Sequence, residues 1–280
     1  MILRFPNLQR RYWKLIPSYA QSMVAGYRER GLFKEIESYC MFIGYPRSGH
    51  SLVGSLLDAH PDVVIAHELH VLGFLQARFS RSQVFALIMN NSRQIAAKGR
   101  TETGYDYVVP DSWQGRARRL RVIGDKRAGR SGARLQRHPE LLDRLRKTVG
   151  VPVQYVHVVR NPYDNISTIS KRQKLSMEQA RDLYFLLCDS VMYVKRRAPA
   201  GTVLDLRHEN LIADPKATLK ELCAFIDVDP TDEFLDGCAG IVFDSPHRSR
   251  LESQWSPGLR EDVRQRMAAY PYLDGYVWDQ

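Results

Sequence analysis

The chain alternates short apolar runs with longer segments of helical period. Residues 40–44 (CMFIG) form an unbroken apolar run that stops at glycine and proline, the mark of a buried strand, and residues 51–59 then repeat apolar positions at helical spacing. The first unit is therefore strand, glycine-rich loop, helix. Residues 62–66 predict a second strand, 69–97 one long helical stretch, 121–124 a short strand, 140–148 a helix, and 153–159 (VQYVHVV) a central strand rich in β-branched residues. Helices over 163–172 and 176–197, a strand over 202–206 and a helix over 215–226 follow, while 98–119 is polar and irregular. Apolar strands separated by helices predict an α/β chain with a central parallel sheet covered on both faces.

Ahead of that core, residues 1–38 carry a loosely amphipathic pattern (Leu8, Tyr12, Leu15, Ile16, Tyr19, Met23, Tyr27) interleaved with Arg and Lys. This predicts a basic surface helix that either packs on the core or touches a membrane or an acceptor. No apolar run of 18 or more residues is present, and charge interrupts Met1 to Tyr39 every few positions, so the expectation is a cytoplasmic protein, peripheral to a membrane at most. A length of 280 residues suits one domain: a helical extension over 1–38, a core over 40–226 and a C-terminal segment over 227–280.

Charge narrows the partners. Lys and Arg number 41 against 31 Asp and Glu, a net charge of +10, which calls for an anionic partner: nucleic acid, an acidic membrane surface or a multiply charged nucleotide. The cations are scattered rather than striped with stacking aromatics, although 116–137 is dense, and this argues against nucleic acid. The four cysteines, Cys40, Cys188, Cys223 and Cys238, lie far apart with no CxxC pair, so they read as buried thiols rather than a disulfide framework or zinc site.

Two segments carry the chemistry. Residues 44–51 (GYPRSGHS) have the spacing of a phosphate-binding loop, two glycines five apart and then a hydroxyl residue, with His50 where a nucleotide triphosphatase has lysine. Main-chain N–H groups at a helix N-terminus still cradle an anion; what is lost is the lysine that grips the outer phosphates of ATP. Arg47 occupies the loop's tip. The second segment begins where the strand over 153–159 ends, at Arg160-Asn161-Pro162-Tyr163-Asp164. A kinase needs a carboxylate there to organise magnesium, whereas an arginine at a strand's carboxyl end offers its fork to a phosphate.

At these residues the chain resembles the PAPS-dependent sulfotransferase family, whose fold is that of the P-loop nucleotide hydrolases and whose donor is 3′-phosphoadenosine 5′-phosphosulfate (PAPS). YPRSGHS is similar to the family's 5′-phosphosulfate loop, which implies that Arg47, Ser48, Gly49, His50 and Ser51 hold the donor. VVRNPYDNIST resembles its 3′-phosphate motif, with Arg160 as the arginine and Ser167 or Thr168 as the hydroxyl. LRHENL (206–211) followed by Asp214-Pro215 is similar to an architectural segment of the family. The resemblance spans roughly residues 40–226 and implies transfer of a sulfuryl group to a hydroxyl-bearing acceptor without a metal ion, releasing adenosine 3′,5′-bisphosphate (PAP).

The resemblance also implies roles. Arg47 neutralises the departing oxygen, Lys126 in IGDK (123–126) points at the transferring group, and Glu68 in AHELH (66–70) takes the acceptor's proton, with His67 or His70 as alternatives. Arg248 and Arg250 fall where the family folds a basic C-terminal loop over the nucleotide. The rival readings are a P-loop small-molecule kinase and a basic nucleic-acid-binding protein. The acceptor itself, a carbohydrate, lipid, phenol or peptide tyrosine, is set by loops expected at 70–120 and 240–258.

Overall fold

The computed structural model describes residues 16–102 and 104–279. Five parallel strands form the sheet: β1 (Ser38–Ile43), β2 (Val63–His67), β5 (Val122–Lys126), β6 (Val153–Val159) and β7 (Val203–Arg207), in the order β2-β5-β1-β6-β7. A small antiparallel hairpin of β3 (Thr101–Glu102) and β4 (Tyr105–Asp106) stands apart from it. Side chains of a strand point alternately to opposite faces, and both faces here are apolar. Tyr39, Met41 and Ile43 of β1 enter one core with Val153, Tyr155 and Val159 of β6; Cys40 and Phe42 enter the other with Val156 and Val158. All four cysteines are buried and unpaired, and burial pushes the Cys40 thiol up to about 12.

Helix α1 (Ile16–Arg28) packs on a later helix so closely that a Cβ on Gly26 would lie 2.8 Å from the Ser82 carbonyl oxygen. Met23 and Tyr27 nevertheless face solvent. Leu8, Tyr12 and Leu15 of the expected amphipathic pattern lie outside the described residues. Helix α2 (His50–Asp58) follows the glycine-rich loop. The single long helix expected over 69–97 is two helices, α3 (Val71–Gln76) and α4 (Arg81–Ala97). The break falls at Arg78, whose φ is 61°, and α4 restarts on a capping box in which Ser80 and Gln83 satisfy each other's backbone N–H groups.

Helices α5 (Ala128–Arg137) and α6 (Glu140–Val149) lead from β5 to β6; α7 (Pro162–Gln173) and α8 (Met177–Lys195) lead from β6 to β7. Helix α5 was not apparent as a periodic apolar segment in the sequence. Beyond β7 come α9 (His208–Ala213), α10 (Pro215–Phe225), α11 (Asp232–Ala239) and α12 (Pro257–Met267). Among the described residues no helix is long and apolar enough to cross a membrane. The carboxyl ends of β1, β5 and β6 converge on one crevice, where the connections diverge to either side of β1.

The polar, irregular stretch over 98–119 is tied down by charge. Asp58, at the end of α2, accepts from the Ile65 and Gly115 backbone N–H groups and the Ser92 hydroxyl, and pairs with Arg100. Both charged side chains are almost wholly buried, which is tolerable only because nearly every lone pair of Asp58 is occupied.

Candidate active site

The loop between β1 and α2 makes two turns through left-handed backbone, at Arg47 (φ 69°) and Gly49 (φ 92°). Tyr45 anchors its base, fully buried against Tyr184 and His157. A Cβ on Gly49 would lie 2.1 Å from Cδ2 of His208, so only glycine lets this imidazole pack against the loop. Gly49 caps α2 without a side-chain hydrogen bond, and the N-terminal N–H groups of that helix open onto the crevice. Ser48 donates to the Tyr45 carbonyl at 3.2 Å, and its hydroxyl also meets His50 Nδ1 at 3.2 Å. Arg47 is half-buried at the tip, and its carbonyl oxygen accepts from Arg160 Nη1 at 3.2 Å.

Lys126 ends β5 beneath this loop. Only 1% of it is exposed, yet its ammonium meets Ser51 Oγ at 3.0 Å, Glu68 Oε1 at 3.1 Å and His67 Nε2 at 3.2 Å. Its stem runs against Gly54 of α2: a Cβ there would sit 2.8 Å from Lys126 Cγ. Glycine inside a helix ordinarily costs about 0.5–1 kcal/mol relative to alanine, and here it buys passage for the lysine. Gly54→Ala is therefore expected to displace Lys126 and to lower turnover about 100-fold, the loss that a misplacement of about 1 Å produces. Turnover measured alongside thermal unfolding checks this; unchanged turnover in a folded variant refutes it.

Glu68 stands on a strained residue (φ 57°) that a neighbouring carboxylate holds in place. Asp125 Oδ1 accepts from the Leu69 N–H at 3.0 Å and Oδ2 from the Val71 N–H at 3.3 Å, while the Glu68 N–H donates to the Lys126 carbonyl at 3.0 Å. Burial drives the Asp125 carboxyl up to about 6 against the hydrogen bonds it receives. Burial also opposes charge on Glu68, but His50, whose Nε2 lies 3.7 Å from Oε1, and the Lys126 ammonium outweigh it and hold that carboxyl at about 2. His67 is held down at about 3, by burial first and by Lys126 second. His70 turns the other way, folding beneath Gly73 to meet Arg134. Of the three base candidates, Glu68 and His67 reach Lys126 and His70 does not.

A second cluster lies across the loop. Arg160 Nη1 reaches Thr168 Oγ1 at 3.4 Å, and Nη2 reaches the His247 carbonyl at 2.5 Å and Ser249 Oγ at 3.4 Å. Ser167, one residue earlier on α7, instead accepts from Trp255 Nε1 at 2.9 Å. Arg250 is buried on Asp164, which also receives the Arg250 N–H at 2.9 Å, so the structure directs this guanidinium at α7 rather than into the crevice. Arg248 is exposed and has no side-chain partner among the described residues. Glu209 of LRHENL accepts from the Asn161 N–H at 2.8 Å and the Tyr276 hydroxyl at 2.7 Å, clamping the turn that carries Arg160. Arg160 Nε and His208 Nδ1 are buried with no hydrogen-bond partner among the described residues. An orphaned guanidinium N–H such as Arg160 Nε, beside a loop of outward N–H groups, suits an anion.

Residues 41–233 match the model of the sulfotransferase family. The chain belongs to the sulfotransferase family. Solved structures with this fold include sulfotransferase STF9 from Mycobacterium avium, with a TM-score of 0.51 at 12% identity over 91% of this sulfotransferase and 81% of that chain. The sulfotransferase domain from the curacin biosynthetic pathway gives a TM-score of 0.50 at 16% identity over 84% and 99%. At such identities the likeness speaks for the fold alone. No curated protein sequence matches this sulfotransferase.

Sequence reasoning missed four members of the site: Gly54, Asp125, His208 and Ser249. The histidine stood only inside the architectural LRHENL segment, and the glycine carried no signal beyond being a glycine within a helix.

Proposed function

We propose that this sulfotransferase moves a sulfuryl group from PAPS to a hydroxyl of its acceptor and releases PAP. The observation that carries the reading is the pair of cation clusters on either side of one outward-facing loop: Lys126 with Ser51 on the β5 side, Arg160 with Thr168 and Ser249 on the β6 side. The loop N–H groups and Ser48 hold the 5′-phosphosulfate, and Arg160, Thr168 and Arg248 hold the 3′-phosphate. Arg250 acts through Asp164, fastening the segment over 249–252 to α7 so that Ser249 faces Arg160.

The donor, when bound, supplies the transferable sulfuryl group. Lys126 and Arg47 neutralise charge on the departing oxygen, and Glu68 accepts the acceptor's proton. Lys126 cannot give its full charge to Glu68 and to an incoming anion at once. As it turns to the anion, Glu68 loses a partner that suppresses its basicity, so donor binding strengthens the base.

Calorimetry with PAP in EDTA tests the reading. PAP is expected to bind without magnesium and ATP not to bind, with Arg160→Ala weakening PAP about 10- to 100-fold, the worth of about 1.5–3 kcal/mol for hydrogen bonds to a charged group. Magnesium-dependent ATP binding that leaves PAP unbound would identify a kinase instead.

A further inference from the structure

Helix α5 carries Arg130, Arg134 and Arg137, a spacing of four and three residues that sets them on one face, and Arg127 is the residue that caps its start. With His70 and His138 they line a cleft of about 390 Å³. Like charges stacked along a helix repel one another, so this face costs the helix stability unless anions offset it. Among the described residues few carboxylates approach Arg127, Arg130 and Arg137. Glu68 reaches Arg127 Nε only at 3.9 Å, and Glu140 meets His138. Arg130 and Arg137 are exposed and pair with no carboxylate among the described residues.

The cleft's position gives the charge a use. Lys126, which ends β5, is followed directly by Arg127, and Glu68 bridges towards both. Gly129 seats the start of α5 on the loop, where a Cβ would lie 3.3 Å from the Gly44 carbonyl oxygen. The cleft thus opens on the β5 and β2 side of the crevice, next to Glu68, whereas the Arg160 cluster lies on the β6 side. We infer that the cleft binds the acceptor, and that the acceptor is a polyanion: a hydroxyl compound bearing two or more carboxylate, phosphate or sulfate groups beside the hydroxyl that Glu68 deprotonates. This rests on the sulfotransferase reading and adds to it the class of substrate.

The test is binding to the PAP-loaded protein of three probes: a hyaluronan hexasaccharide for carboxylates, myo-inositol hexakisphosphate for phosphates, and maltohexaose as the neutral control. At least one polyanion is expected to bind, more weakly as salt rises, with maltohexaose silent. The double variant R130E/R137E should weaken that binding at least tenfold while PAP affinity, which also certifies folding, stays put. The inference is overturned if neither polyanion binds, if maltohexaose binds as well as they do, or if the double variant binds them like the wild type. Failure of the underlying reading has a separate signature, loss of PAP binding by the wild type itself.

Discussion

Lys126→Met is expected to lower sulfuryl transfer on the order of 1,000-fold, because it removes a fixed, buried cation from the place where the departing oxygen gains charge. Methionine fills the channel beside Gly54 with a stem of similar shape, so the variant should fold and keep most of its PAP affinity, leaving the loss in kcat. Glu68 offers a second readout. Its carboxyl lies at about 2 against an ordinary 4.5, so it contributes stability above about pH 4.5 that is lost as pH falls towards 2. Removing Lys126 deletes a cause of that depression. Urea unfolding as a function of pH should therefore show the wild type losing ground relative to Lys126→Met as pH drops through that window. A variant with undiminished kcat, or a stability difference flat in pH, would contradict the role assigned to Lys126.

Glu68→Gln is the other large effect. Glutamine preserves the size of the side chain and the strained turn that Asp125 holds, but cannot take a proton. About a 1,000-fold fall in kcat is expected, within the range for general-base catalysis, with PAP binding unaltered. His67→Gln, which removes the imidazole beside Lys126, separates the two candidates: if the histidine were the base it would lose as much activity as Glu68→Gln. Steady-state rates of both variants at saturating PAPS decide between them.

The strands were legible because a parallel sheet buried on both faces writes itself as short apolar runs, and 153–159 matches β6 residue for residue. The break between α3 and α4 was not, since the apolar spacing of VLGFLQARF continues across a turn made by Arg78 and Ser80. Helix α5 hid for the opposite reason: arginine and glycine dominate it, and its stable face is defined by packing on α8 and β1 rather than by many apolar residues. In the site, the loop and Arg160 could be read because main-chain geometry and a strand end leave a local signature. Thr168 and Ser167 could not be separated, since adjacent helical positions differ by about 100° and the phase is set by where α7 starts. That start is fixed by Asn161, whose side chain caps the Tyr163 N–H at 3.1 Å. Gly54, Asp125 and His208 act across contacts between segments distant in sequence, which no local pattern reports.

Asp125 and Lys126 are neighbours on β5, and the pleat sends one to the turn that holds Glu68 and the other beneath α2 to the loop. The strand therefore works as a phase reference for the reaction. Gaining or losing one residue between Arg121 and Lys126 would keep apolar residues available for both cores yet exchange the anchor with the cation. The proposed base and the proposed leaving-group cation would be lost in a single slip, from a sheet whose pairing looked intact.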